Sequence, residues 1–141
     1  MSALVLHDVR KTYASGHTEI VALDDANLTV AGDEIVALVG PSGSGKTTLL
    51  SIAGGLLTPT AGSVVVGGED ISEYGPRQLT AFRGTNIGFV FQSVNLVPFL
   101  NAEENLVVVA DMNGQARRPA RRRARQLLAE LGLSERRRNL P

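Results

Sequence analysis

The segment that most constrains this chain is the glycine-rich run Gly-Pro-Ser-Gly-Ser-Gly-Lys-Thr-Thr at positions 40–48. It satisfies the phosphate-loop pattern Gly-x-x-x-x-Gly-Lys-Ser/Thr with nothing inserted or missing. The apolar run 34–39 precedes it and predicts a strand buried on both faces, as in a parallel sheet. The residues that follow predict a helix from Lys46 to about Leu56. This strand, loop and helix order is the context in which such a loop binds phosphate.

The residue types of the loop suit a polyphosphate. Glycines permit positive φ and a close approach of the backbone to an anion. Amides from about residue 43 to 48 would point into one concavity at the positive end of the helix. Lys46 would reach the β- and γ-phosphates, and the Thr47 hydroxyl would complete the coordination of Mg²⁺. A flexible glycine turn is the alternative, but a chance match in a chain of this length is on the order of one per cent. The predicted nucleotide-binding residues of the loop are Gly40, Pro41, Ser42, Gly43, Ser44, Gly45, Lys46, Thr47 and Thr48.

Composition narrows the class of protein. With 141 residues, 43% of them hydrophobic, the chain suits one ordinary globular domain or part of a larger one. No apolar run reaches the roughly 18 residues that would cross a bilayer. The N-terminus lacks the basic start and long apolar core of a secretion signal. Cysteine is absent, which excludes disulfides and thiolate metal sites and fits the cytosol.

Short strands are predicted before the loop. Residues 3–13 read as an edge strand with alternating apolar residues at Leu4, Leu6 and Val9. A polar turn is predicted at Ser15-Gly16-His17, and both histidines, His7 and His17, are predicted to lie on the surface. Strands at 20–23 and 26–30, separated by a turn at Asp24-Asp25, would complete an antiparallel meander.

Further elements are predicted after the loop. They are a strand at 62–68, a helix at 76–83 with Leu79 and Phe82 on one side, and an apolar strand at 86–92 near the 34–39 strand. Asn101 followed by Glu104 predicts a capped helix that runs to about Met112. A longer helix, 119–131, would place Ala120, Ala124, Leu127, Leu128 and Leu131 on one face.

Charge is unevenly distributed along the chain. Residues 1–116 contain 5 Lys or Arg against 12 Asp or Glu, whereas residues 117–141 contain 9 Arg against 2 Glu. The arginines at 117–125 are typical of the solvated face of an amphipathic helix. Nucleic-acid binding and contact with a membrane surface are the alternatives. No aromatic residue follows Phe99, so this part of the sequence has no aromatic side chain that could stack on nucleic-acid bases.

Three features in order resemble the ATP-binding cassette (ABC) transporter ATPase subunits. They are Tyr13, the loop at 40–48, and the phrase Phe-Val-Phe-Gln-Ser-Val-Asn-Leu-Val-Pro at 89–98. The chain is similar to the N-terminal part of such a subunit, and most similar to the branch serving macrolide-type exporters and lipoprotein-releasing complexes. The resemblance implies an α/β P-loop NTPase fold of the ABC nucleotide-binding type. It would comprise a β subdomain and loop core at 1–92, and the start of a helical subdomain at 93–141.

The same resemblance implies roles for individual residues. Tyr13 would stack on adenine, although an ordinary strand aromatic is the alternative. Gln92 would touch Mg²⁺ or the attacking water, although a polar residue at a strand end is the alternative. Lys46 and Gln92 are thus the catalytic candidates, and Thr47 and Gln92 the metal candidates. The implied cofactors are ATP and Mg²⁺.

The resemblance also implies partners and a location. The partners would be membrane (permease) subunits and a second nucleotide-binding subunit, in a homodimer or paired arrangement, with no nucleic acid. The location would be cytoplasmic, peripheral on the cytoplasmic face of the membrane through the transporter complex.

The sequence ends with Arg136-Arg-Arg-Asn-Leu-Pro141, and it departs from the family by lacking the motifs that would come next. The signature Leu-Ser-Gly-Gly-Gln, the acidic pair of Walker B, the D-loop and the switch histidine do not occur in it. We therefore expect a fragment that holds ATP but lacks the groups that position Mg²⁺ and water for hydrolysis. We also expect it to be weakly stable or aggregation-prone through an open sheet edge.

Two hypotheses follow from these motifs. The chain is either part of a transporter ATPase subunit or a non-catalytic nucleotide-binding or interaction module. Another phosphate-loop NTPase is a third option. A GTPase would carry Asn-Lys-x-Asp, which is absent, and the Phe-Val-Phe-Gln phrase weighs against a small-molecule kinase.

Overall fold

The computed structural model describes residues 2–16, 18–93 and 95–141. The chain forms two compact units, Met1–Phe89 and Val90–Pro141. The division lies just before the predicted boundary at 92/93, which stays a prediction. The described elements of the first unit are β1 (Ser2–Ser15), β2 (Thr18–Ala31), α1 (Lys46–Ala53), β3 (Ala61–Val66), β4 (Glu69–Asp70) and α2 (Pro76–Asn86).

The strands form one antiparallel sheet in the order β2-β1-β3-β4. The prediction that β1 is an edge strand is wrong, because β3 pairs along its other side, with Leu6 opposite Val64. Alternating apolar residues identify a buried face but do not reveal how many strands flank it. Of the three apolar residues on which the strand was predicted, Leu6 and Val9 are buried and Leu4 is half-buried.

The predicted turn at Asp24-Asp25 is wrong, because β2 continues through it from Thr18 to Ala31. The register with β1 shifts here, so the sequence forms a bulge rather than a turn. Asp25 has a φ of 53°, and the Asn27 side-chain amide donates to its carbonyl oxygen at 3.2 Å. Aspartate tolerates this left-handed conformation, which explains why the same residues suggested a turn.

The predicted turn between β1 and β2 is confirmed at Ser15-Gly16. The Thr18 hydroxyl donates to the Ser15 carbonyl at 2.9 Å, and Gly16 has a φ of 61°. His17 lies outside the described residues. His7 is exposed, as predicted, and lies 3.1 Å from the Asp8 carboxylate.

One apolar core joins the sheet to both helices of this unit. Leu79 and Phe82 share the buried side of α2, as predicted, and the Phe82 ring meets Tyr74 edge-on at 6.2 Å. Arg83 donates from Nη1 to the carbonyl of Gly55 at 2.7 Å, which attaches α2 to the end of α1. The buried apolar residues are Leu6, Val9, Leu23, Ile52, Val64, Ile71, Leu79 and Phe82.

The predicted strands at 34–39 and 86–92 are wrong. Residues 34–40 and 87–91 have no regular secondary structure, and Asn86 is the last residue of α2. Ile35 is 100% exposed, Val39 90% and Val90 101%. A doubly buried strand requires neighbours on both sides, and the described sheet does not include either segment. The exposure is in keeping with the expected tendency to aggregate, which stays a prediction.

The second unit, in its described residues, contains α3 (Ala102–Met112), α4 (Arg117–Glu130) and a 3₁₀ turn (Ser134–Arg136). The predicted capping box is confirmed. The Glu104 amide donates to Asn101 Oδ1, and the Asn101 amide donates to Glu104 Oε2, both at 2.9 Å. Across the described part of the chain, every helix is too short or too polar to cross a bilayer.

The predicted apolar face of α4 is largely confirmed. Ala120, Ala124 and Leu128 are buried, but Leu131 is 71% exposed because the helix ends at Glu130. Part of the arginine-rich side is engaged within the unit. Arg117 Nε donates to Asp111 at 2.7 Å, and Arg125 Nε donates to both Glu103 oxygens at 3.1 Å.

The contact of Glu103 with Arg125 predicts a pH-dependent stability for this unit. Hydrogen bonding from Arg125 holds the pKa of Glu103 below its ordinary value of 4.5. A lowered folded-state pKa contributes stability above 4.5, and that stability is lost as the pH falls through the folded value. We expect Glu103→Gln to lower the melting temperature at neutral pH and to have little effect once the parent carboxylate is protonated. Circular dichroism melts across this range would measure it.

Glu135→Gln is the matched control for that experiment. Glu135 is exposed and forms no salt bridge within the part of the chain that the structure describes. It should change the melting temperature little at any pH. A Glu103→Gln effect that stayed constant down to the lowest pH would contradict the assignment to the ion pair.

Candidate nucleotide-binding site

The phosphate loop rests directly on β2. Gly45 has a φ of 82°, and a Cβ there would lie 2.6 Å from the Ala22 carbonyl oxygen and 2.9 Å from Leu23 Cδ2. Gly43 has the same φ, but a Cβ there would meet nothing within 4 Å. Glycine at 45 is therefore required by both conformation and space, whereas glycine at 43 is required by conformation alone.

Helix α1 begins at the end of the loop, at Lys46, with Gly45 as its N-cap. No side chain in the described residues caps it, and its first turn contains no acidic residue. The first intrahelical bond runs from the Leu49 amide to the Gly45 carbonyl at 2.8 Å. The amides of the first turn precede that bond and keep the positive end of the helix open to an anion. Ile52, 1% exposed, anchors the helix in the core.

The Lys46 ammonium lies inside the loop rather than extending away from it. Its Nζ donates to the carbonyl oxygens of Gly40 at 2.8 Å and Pro41 at 2.6 Å, and to Ser44 Oγ at 3.2 Å. The positive charge is therefore held within the loop by oxygen atoms of the loop itself. A cation next to the uncapped N-terminus of α1 is a combination that favours a polyphosphate.

A cavity of about 470 Å³ adjoins the loop and extends along β2. Asp24, one of the residues that line this cavity, lies 3.8 Å from the Arg10 guanidinium. The lining residues are Ala22, Leu23, Asp24, Ala26, Leu38, Val39, Gly40, Pro41, Ser44, Gly45, Lys46 and Leu49.

The hydroxyl-bearing residues of the loop differ in exposure. Ser42 and Thr47 are exposed, and Thr48 is half-buried. The Thr47 hydroxyl at the start of α1 is a hard oxygen donor of the type that Mg²⁺ accepts beside phosphate oxygens. The residues present therefore fit a magnesium ion that is bound together with a polyphosphate.

Tyr13 lies on the face of the β1–β2 ribbon that meets the loop. Its cross-strand partner is Ile20, and Lys11, two residues earlier, pairs with Leu23, whose side chain adjoins Gly45. Residues two apart on a strand share a face, as do directly opposed residues of an antiparallel pair. Tyr13 is 40% exposed. The Lys11 ammonium lies 5.4 Å from the centroid of the Tyr13 ring, which places these two side chains on one face, but Tyr13 does not line the described cavity beside the loop.

Gln92 belongs to the second unit, where it is exposed. Its grouping with Thr47 around a metal ion therefore stays a prediction.

Two features of the site were missed from the sequence. The contact of Ala22 and Leu23 with Gly45 could not be recognised from the sequence, because an alanine and a leucine in a strand show no pattern that marks a contact with the loop. Lys11 could have been noticed, since a spacing of two residues from Tyr13 on a strand places both side chains on one face.

Comparison with known proteins agrees with this geometry. A family model described as ABC transporter matches residues 23–141. The chain belongs to the ABC transporter family. The resemblance inferred from its motifs is confirmed.

Similar proteins include two transporter components. One is the lipoprotein-releasing system ATP-binding protein LolD of Geobacter metallireducens, 47% identical over 135 residues, which are 96% of this chain and 60% of LolD. The other is the macrolide export ATP-binding/permease protein MacB of Hyphomonas neptunium, 45% identical over 93% of this chain and 20% of MacB. This ABC family member thus spans less than two thirds of the length of these relatives.

A solved structure supports the fold. The dimeric ATP-binding cassette MJ0796 bound to ADP and Pi matches with a TM-score of 0.83 and 38% identity, over 97% of this chain and 60% of that one. The predicted fold class, the N-terminal part of an ABC-type P-loop NTPase, is confirmed. The buried parallel strand expected at 34–39 is the exception within it.

Proposed function

We propose that this chain is the nucleotide-binding portion of an ABC transporter ATPase subunit and that it binds Mg²⁺-ATP. The observation that carries the proposal is the loop at 40–48. Its glycine at 45 packs against β2, its lysine is turned inward, and it opens into the uncapped first turn of α1. Such a loop binds phosphate oxygens by backbone amides and needs no other anion receptor.

The loop contributes backbone amides, an ammonium group and a hydroxyl group to this binding. The amides from about 43 to 48 hold the phosphates, and Lys46 exchanges its bonds to loop carbonyls for bonds to the β- and γ-phosphate oxygens. Thr47 contributes a hydroxyl oxygen to Mg²⁺, which, when bound, neutralises charge on the phosphates.

Tyr13 and Gln92 complete the proposed site. Tyr13 stacks on adenine, which its partial exposure and its position on the loop-facing side of the ribbon support. Gln92 contacts Mg²⁺ or the attacking water, a role carried over from the family phrase at 89–98. Lys46 and Gln92 are the proposed catalytic residues.

The wider role is transport. In the complete protein, ATP binding would power movement of a substrate through partner membrane (permease) subunits, with a second nucleotide-binding subunit paired to this one. The names of LolD and MacB support this role, as does the dimeric state of the MJ0796 structure. The subunit would work at the cytoplasmic face of the membrane, attached through the complex.

Calorimetric titration tests the proposal. We expect the 141-residue chain to bind Mg²⁺-ATP more tightly than either Mg²⁺-tripolyphosphate or adenosine, because only ATP occupies both the loop and the Tyr13 face. A folded sample that takes up no ATP would overturn the proposed function.

A second candidate is a module that binds ATP without turnover. Phosphate release by the purified chain separates the candidates. Release that depends on Lys46 would exclude the non-catalytic module.

A further inference from the structure

The Lys11 side chain contacts both the Tyr13 ring and the segment that follows α1. Its Nζ donates to the Thr58 carbonyl oxygen at 2.8 Å and lies 5.4 Å from the centroid of the Tyr13 ring. Thr58 lies a few residues after α1, the helix that begins at the phosphate loop. One ammonium group therefore links the aromatic ring on β1 to the far end of that helix.

The ammonium lies within cation–π distance of the ring, and Tyr13 is nevertheless partly exposed. A cation within about 6 Å of an aromatic centroid is attracted to the ring face. Tyr13 nevertheless remains 40% exposed. The contact therefore restricts the rotation of the ring without covering it. A ring ordered before the ligand arrives loses less conformational entropy on binding.

The backbone near Lys11 is held independently of its side chain. The Thr60 amide donates to the Arg10 carbonyl at 2.8 Å, and the Thr12 amide donates to Thr60 Oγ1 at 3.1 Å. The same strand is also paired on both sides, to β2 and β3. Loss of the ammonium should therefore release the ring while the strand stays in place.

We propose that Lys11 is a positioning residue for the nucleotide base: it holds the Tyr13 ring so that the opposite face receives adenine. The inference rests on the proposed function, in which Tyr13 stacks on the base. It predicts that Lys11 contributes to recognition of the base and not of the phosphates.

The chain permits a direct optical test, because its two tyrosines are Tyr13 and Tyr74 and it contains no tryptophan. In a Tyr74→Phe parent, Tyr13 is the only tyrosine whose fluorescence reports ATP. We expect Lys11→Met to weaken ATP binding by about twofold to fivefold. The affinity for Mg²⁺-tripolyphosphate should stay unchanged. Lys11→Arg, which keeps a cation and a donor, should retain the parent affinity for ATP.

Arg77→Met is the matched control, since Arg77 is exposed on α2 and has no salt bridge among the described residues, and it should leave both affinities unchanged. If Lys11→Met does not fold, Lys11→Gln keeps a donor for Thr58, removes the cation, and should give the same result. Equal loss of ATP and tripolyphosphate affinity, or no loss of either, would overturn the role of Lys11. A parent that binds tripolyphosphate but not ATP also overturns it, whereas a parent that binds neither overturns the proposed function itself.

Discussion

Replacement of Lys46 by alanine is expected to weaken ATP binding by about tenfold to a hundredfold, the range that corresponds to a lost hydrogen bond to a charged group. In the structure the ammonium is already inside the loop, bonded to the carbonyls of Gly40 and Pro41. On binding it exchanges these bonds for bonds to the phosphate oxygens. Calorimetry with Mg²⁺-ATP measures the loss, and tripolyphosphate binding should fall in parallel because the lysine acts on phosphate rather than on the base.

Arg77→Ala is the control for the loss of one positive charge. Arg77 is exposed on α2 and has no salt bridge among the described residues. Its replacement should leave the affinity for ATP as it was. If Lys46→Ala bound ATP like the parent while remaining folded, the loop could not be the phosphate site.

Gly45→Ala is expected to lower the free energy of unfolding by about 2–5 kcal/mol, from about 1–2 kcal/mol for a left-handed alanine and about 1–3 kcal/mol for overpacking. The steric part arises because the new Cβ would lie 2.6 Å from the Ala22 carbonyl oxygen, a backbone atom that cannot rotate away as the end of a flexible side chain can. Urea unfolding measures the change.

Gly43→Ala provides a matched comparison in the same loop. Its φ is also 82°, but its Cβ would enter open space, so we expect only the conformational cost of about 1–2 kcal/mol. The difference between the two variants isolates the packing of the loop on β2. Equal costs would show that the loop does not rest on the strand as the structure has it.

Features with a local cause were predicted correctly from the sequence. The capping box of Asn101 and Glu104 and the buried side of α2 at Leu79 and Phe82 depend on residues three or four apart, which helix geometry brings together. The loop at 40–48 belongs to this class, because the residues that form its concavity are contiguous.

Features that depend on distant partners were predicted less well. The edge position assigned to β1 failed because its second neighbour, β3, begins at Ala61, far along the chain. The prediction of a strand at 34–39 was wrong because it assumed neighbouring strands. Its apolar residues match a buried strand, but a strand forms only where another backbone satisfies its amides and carbonyls.

The sequence by itself determined the family of this protein, its phosphate loop and the candidate groups for ATP, because spacing within one short segment specifies that chemistry. Only the tertiary structure decided that Gly45 must fit against Ala22 and that Lys11 donates to the Thr58 carbonyl. Those contacts join residues 23 and 47 positions apart in sequence, and the bulged register of β1 with β2 decides which side chains meet the loop. Register is set by pairing across strands, so no single segment encodes it.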